Sequence, residues 1–160
     1  MAFELVPLQP LERGYLRVLR IRSALGWLMV MAIAVAGEIY LHWSTDISPG
    51  LIAGPVGLFG LVSTIFFVPR RWRRWGYAFT DRELHVAYGW FTRMYTVVPV
   101  SRVQHIDVSQ GPIERSADVV TLSLHTAGTE NSLVALSGIS RQRAEEIRDV
   151  IRGRISDAPW

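Results

Sequence analysis

His105 and Asp107 stand two residues apart in Gln104 to Ser109, a stretch whose alternation predicts a strand, so both side chains fall on one face of it. His85 and His125 occupy two other alternating stretches, on strands where they could face the same way. Two or three imidazoles beside one carboxylate could relay a proton or hold a divalent cation. The signal is weakly specific, because pairs at i and i+2 on an exposed strand recur by chance. No Glu or Cys completes a zinc or nucleophile motif around them. A solvated polar face is therefore the reading, with no catalytic, metal-binding or cofactor-binding set expected.

Glu38 is the second candidate, being the one acidic residue inside either of two long apolar runs. An ionisable group at membrane depth is a functional hypothesis by default. It lies about five residues, roughly 8 Å, from the outer end of its run, with His42 one turn further on. Snorkelling to the interface is expected. A proton or ion path would need more polar residues in the second run than Ser63 and Thr64.

The third candidate is the basic and aromatic run Arg70, Arg71, Trp72, Arg73, Arg74, Trp75. Its plainest role is to stop transfer and anchor the chain at the bilayer interface. Its functional alternative is recognition of anionic lipid, to which each juxtamembrane Arg contributes roughly 1 kcal/mol, with Arg82, Arg93 or Arg102 assisting. Nucleic acid is disfavoured, because the aromatics are needed at the interface and no stacking platform is evident.

Composition removes further classes. The absence of cysteine excludes disulfides, thiolate metal sites and cysteine nucleophiles. All 17 basic side chains are Arg, so no phosphate loop with its Lys exists, and no serine nucleophile elbow occurs. A mean hydropathy of +0.21 is high for a chain with 19% charged residues, so the apolar residues must be concentrated. They lie between Ala24 and Val68, and the flanking Arg13, Arg17, Arg20 and Arg22 on one side and Arg70 to Arg74 on the other account for the net charge of +3.

Ala24 to Trp43 and Gly50 to Val68 are each about 20 residues, long enough as helices to cross a hydrocarbon core of roughly 30 Å. The link Ser44 to Pro49 contains no Arg, so the positive-inside rule puts both termini in the cytoplasm. A cleaved signal peptide ending near Ala34-Val35-Ala36 is the rival reading, weakened by apolar residues that continue past it. Gly50 and Gly54 form a GxxxG pair and Gly54, Gly57 and Gly60 recur every third residue. That face predicts close packing on the first helix through Ala32, Ala36 or Gly37, or else homo-oligomerisation. Before the spans, 11–23 predicts an interfacial helix running into the first of them.

From Trp75 the period becomes two. Strands are expected at Gly76 to Phe79, Leu84 to Trp90, Arg93 to Val98, Gln104 to Ser109, Val120 to Leu124 and Ser132 to Leu136. A turn or short helical piece is expected around Pro99 to Val103. A helix over Arg141 to Arg154 follows, with Ser140 as N-cap and Ala144, Ile147, Val150 and Ile151 as its apolar stripe. The fold class is thus an α+β membrane protein, divided into 1–23, a hairpin over 24–68 (spans 24–43 and 50–68) and a cytoplasmic domain over 69–160.

These features, and above all Tyr77 to Leu84, Val98 to Gly111 and Thr126-Ala127-Gly128, resemble bacterial membrane proteins with a pleckstrin-homology-like domain, the YdbS-like family. The resemblance covers nearly the whole chain. It departs at Ser116-Ala117-Asp118, after Arg115, where family members commonly carry an aromatic and a Gly, which leaves the packing there open. It implies a PH-like β-barrel or sandwich closed by the terminal helix, and a frequent partnership with a larger membrane protein carrying several such domains.

The function expected is a non-enzymatic, membrane-anchored interaction module that assembles with such a partner or with itself, in the bacterial plasma membrane. Anionic-lipid sensing is the alternative. A subunit of a small export complex is a further one, since two spans cannot enclose a pathway alone.

Overall fold

Both apolar runs are helical in the computed structural model, which describes residues 6–45, 48–80, 82–90, 92, 94–127 and 133–156. α1 spans Arg13–Thr45. α2 (Ala53–Val62) and α3 (Val68–Trp72) are joined by a π-helical turn over Ser63–Phe67, giving one helix from Ala53 to Trp72. A backbone with no water around it must bond to itself, and a helix does so within one segment. Leu28, Met29 and Ile33 of α1 and Leu58 and Leu61 of α2 are all more than half exposed. Such a surface would be a liability in water but suits contact with lipid.

The helix expected over 11–23 runs into the first span, the two forming α1 without a break. The second helix begins at Ala53, later than expected, because Gly50 takes φ +91 in the preceding turn. Pro55 falls in its first turn, where a missing N–H is tolerated. By contacts the chain divides into two units, 16–70 and a second made of 71–160 together with the N-terminal residues through Tyr15.

Within the helical unit, Trp27 lies over Gly60 and meets Phe59 edge-on, with ring centroids 5.3 Å apart. A Cβ on Gly57 would come within 2.5 Å of Met31 Cε. Ser23 and Thr64 hydroxyls bond at 3.0 Å. The glycines therefore admit large side chains of the first helix, not Ala32, Ala36 or Gly37 as the small-residue pattern suggested. Gly54 and Gly37 have open space where a Cβ would stand.

The second unit holds two antiparallel sheets. β2 (Gly76–Phe79), β3 (Glu83–Tyr88) and β4 (Met94–Pro99) are joined by β1 (Gln9–Pro10) in the order β1-β2-β3-β4. A 3₁₀ turn over Val100–Arg102 leads to the second sheet, β5 (Val103–Ser109), β6 (Val120–Thr126) and β7 (Leu133–Ile139), with α4 (Pro112–Ser116) between β5 and β6. Leu84, Leu122, Leu124 and Leu136 are fully buried, as one inward face of each strand requires.

α5 (Arg141–Ser156) packs on β5, β6 and the 3₁₀ turn through Ala144, Ile147 and Ile151, whereas Val150 is 41% exposed. Ser140 Oγ accepts the Arg143 N–H at 3.2 Å, the N-cap its position predicted.

β1 was not foreseen. Gln9 pairs with Tyr77 and Pro10 with Gly76, while the Glu12 N–H donates to the Gly138 carbonyl of β7 at 2.9 Å. The residues ahead of the first helix thus sew the edge of one sheet to the edge of the other. Leu11 and Tyr15 are buried at this seam, and the Tyr15 ring fills the space where a Cβ on Gly138 would be. Gly138 also has φ +83, so a side chain there would be strained twice over. At the family departure, Asp118 itself takes a positive φ of 54, and the Ala117 carbonyl packs so closely on Gly14 that no side chain fits.

Candidate interaction surface

β5 and β6 bring His105 and His125 opposite each other. Asp107 stands between them, Oδ1 2.9 Å from His105 Nε2 and Oδ2 3.1 Å from His125 Nε2. All three side chains are well exposed, between 43% and 68%. The carboxylate occupies the gap that a shared cation would need. Among the described residues no group of three or more His, Cys, Asp or Glu is arranged to hold a metal ion. In water such ion pairs are weak.

His85 does not join them. It lies in the other sheet, 6% exposed, with Nδ1 2.9 Å from the Tyr95 hydroxyl and Nε2 3.3 Å from Glu83 Oε2. The face that His85 could have shared with His105 and His125 is not shared, because β3 belongs to the other sheet and is buried along both of its faces, from Leu84 to Ala87.

Glu38 is not turned outward either. Its carboxylate accepts the Ile52 N–H at 3.3 Å and the Ala53 N–H at 3.2 Å. The first amides of a helix have no partner of their own, and an anion suits that positive end. Residue type made Glu38 conspicuous in the sequence. Only the fold shows that it fastens the start of the second helix.

The juxtamembrane run is already partly engaged. Arg70 Nη1 donates to the Phe66 carbonyl at 3.2 Å, the Arg71 guanidinium lies 5.2 Å from the Trp75 ring centre, and Arg74 Nη1 donates to the Trp90 carbonyl at 2.6 Å. Arg73 is exposed. Trp72 and Trp75 are half-buried, and their indole N–H groups, like Arg71 Nε, are buried without a protein partner. Arg82 and Arg102 sit at the opposite end of β3 and β4 from Arg74, about 20 Å away for strands of this length. They cannot share one headgroup with it. Arg93 lies outside the described residues.

Sequence reading missed a cleft of about 310 Å³ between β7 and the first sheet. Leu11, Tyr15, Trp75, Tyr88, Leu133 and Leu136 supply much of its lining. β7 is the outer strand of its sheet, with β6 on one side. Its Leu133 and Ala135 are exposed while Val134 and Leu136 face inward. Its walls come from residues 133–137 of β7 and from β2, β3 and β4, segments far apart in the sequence, so no local signal marks it.

The sequence profile of the family described as Bacterial PH domain matches residues 21–155. The chain is 36% identical over 138 residues to UPF0699 transmembrane protein YdbS of Bacillus subtilis, covering 84% of this chain and 83% of that protein. It is also 30% identical over 82 residues to UPF0699 transmembrane protein YdbT of the same organism, covering 51% of this chain but 17% of YdbT. No solved structure matches. Among the described residues, seven strands in two antiparallel sheets with a terminal helix agree with the profile, and the two apolar helices agree with the relatives' description as transmembrane. This chain therefore belongs to the bacterial PH-domain family, within the YdbS-like group of transmembrane proteins.

Proposed function

We propose that the protein is a non-enzymatic, membrane-anchored interaction module, and that its PH-like domain docks an extended segment of another membrane protein, or of a second copy, along β7. The cleft beside β7 carries this reading. An outer strand presents backbone groups to which an added strand can bond, while a neighbouring apolar cleft takes alternate side chains. That the matched segment is only 17% of YdbT supports a larger partner, since related sequence also occurs within a much longer transmembrane protein.

The helices act as a hairpin anchor in the plasma membrane with both ends cytoplasmic. The flanking arginines support the cytoplasmic side, and the pairing of β1 with β2 supports an even number of crossings between them.

Crosslinking in membranes, followed by purification of the full chain in mild detergent, tests the proposal. A crosslinked partner or dimer is expected, and Leu133→Arg should lower its recovery about tenfold, equivalent to about 1.4 kcal/mol. Leu133 is 55% exposed, so the fold tolerates the change. Recovery of uncrosslinked monomer alone refutes the reading.

Anionic-lipid recognition has one observation in its favour, the exposure of Arg73 directly after the second helix. Arg73→Gln should then reduce the enrichment of anionic over zwitterionic lipid that copurifies, in a salt-sensitive manner.

A further inference from the structure

The turn between β3 and β4 is an aromatic tip with a basic root. Tyr88 and Met94 face each other in register at its base, 38% and 52% exposed, and Trp90 lies between them in sequence. Gly89 reverses the chain with φ +120, so tightly that a Cβ would overlap the Thr92 carbonyl oxygen. The Arg74 guanidinium holds the tip by its bond to the Trp90 carbonyl.

Arg74 is two residues beyond Trp72, where the second apolar helix ends. Two residues reach at most about 7 Å. The tip is therefore tied, through one arginine side chain, to a residue two positions past the end of the second apolar helix.

We propose that the β3–β4 tip is a second membrane contact, with Tyr88, Trp90 and Met94 resting in the boundary between headgroups and acyl chains. Aromatic side chains prefer this layer because it receives both their rings and their polar edges. Depths of about 5 to 10 Å suffice for interfacial binding of apolar side chains. A protein partner could cover the same residues. The bilayer is favoured by the short covalent path from the end of the second apolar helix to Arg74, which keeps the tip within reach of the interface.

The cysteine-free sequence makes the test direct. Met94→Cys and Tyr88→Cys, each labelled with an environment-sensitive fluorophore, are compared with Ser101→Cys in proteoliposomes of the full chain. Ser101 is exposed at the opposite end of β4, about 20 Å from Met94. Emission at 94 and 88 should shift to the blue and be quenched several-fold more than at 101 by a quencher carried on shallow acyl positions. Quenching at 94 and 88 no greater than at 101 overturns the proposal. So does a blue shift that lipid-borne quencher leaves untouched, which would mean that protein covers the tip.

Discussion

His85 and the pair His105 and His125 occupy matching positions in alternating strands, yet they live in opposite surroundings. His85 is buried, with both ring nitrogens beside polar partners from its own sheet. His105 and His125 flank Asp107 in open solvent. Alternation states which residues share a side of one strand. It does not state which side another layer covers, and β3 is covered on both. A histidine in a buried strand is held by the cost of leaving its nitrogens unbonded, whereas an exposed one exchanges each partner for water.

The sheet seam shows the strongest version of this constraint, and its loss should have the largest effect. Gly138→Ala puts a methyl group into the Tyr15 ring at a positive φ, and about 2 to 4 kcal/mol of stability should be lost in denaturant titration of the detergent-solubilised protein. His85→Ala comes next. It removes a buried imidazole and takes a partner from the half-buried Tyr95 hydroxyl, and about 1 to 3 kcal/mol should be lost in the same titration. Asp107→Asn should change stability by no more than about 0.5 kcal/mol, and added Zn²⁺ should leave the unfolding midpoint of the parent unmoved. If Asp107→Asn proved as costly as His85→Ala, or if zinc raised the midpoint, the contrast between the two settings would collapse.

Local signals carried far in this chain. Strands β2 to β7, the 3₁₀ turn after Pro99 and the helix capped by Ser140 were all legible, because periodicity, turn residues and caps act over a few residues. β1 was not. A strand of two residues, one of them proline, has no period to read, and its partner follows only after the whole hairpin. The same limit hid the packing of Trp27 and Met31 on the glycines. Small residues announce that something will come close, but the rotation of the facing helix decides what. Glu38 was conspicuous by type, yet its role depends on where the turn delivers the amides of Ile52 and Ala53. The cleft is lined by both sheets and by the N-terminal residues Leu11 and Tyr15, which no single segment encodes.

The sewing of β1 to β2 has a consequence for how the molecule is made. β1 leaves the ribosome before either apolar helix, and β2 only after both. In the proposed hairpin topology the first strand waits, unpaired, until the chain has crossed the bilayer and returned. A molecule in which one helix failed to cross would leave Gln9 and Tyr77 on opposite sides of the membrane, unable to meet. On that proposed topology, the sheet is completed only when both helices have crossed. A wrongly threaded chain would keep an open β2 edge and an uncovered Gly138 seam, the kind of surface that quality-control proteases recognise.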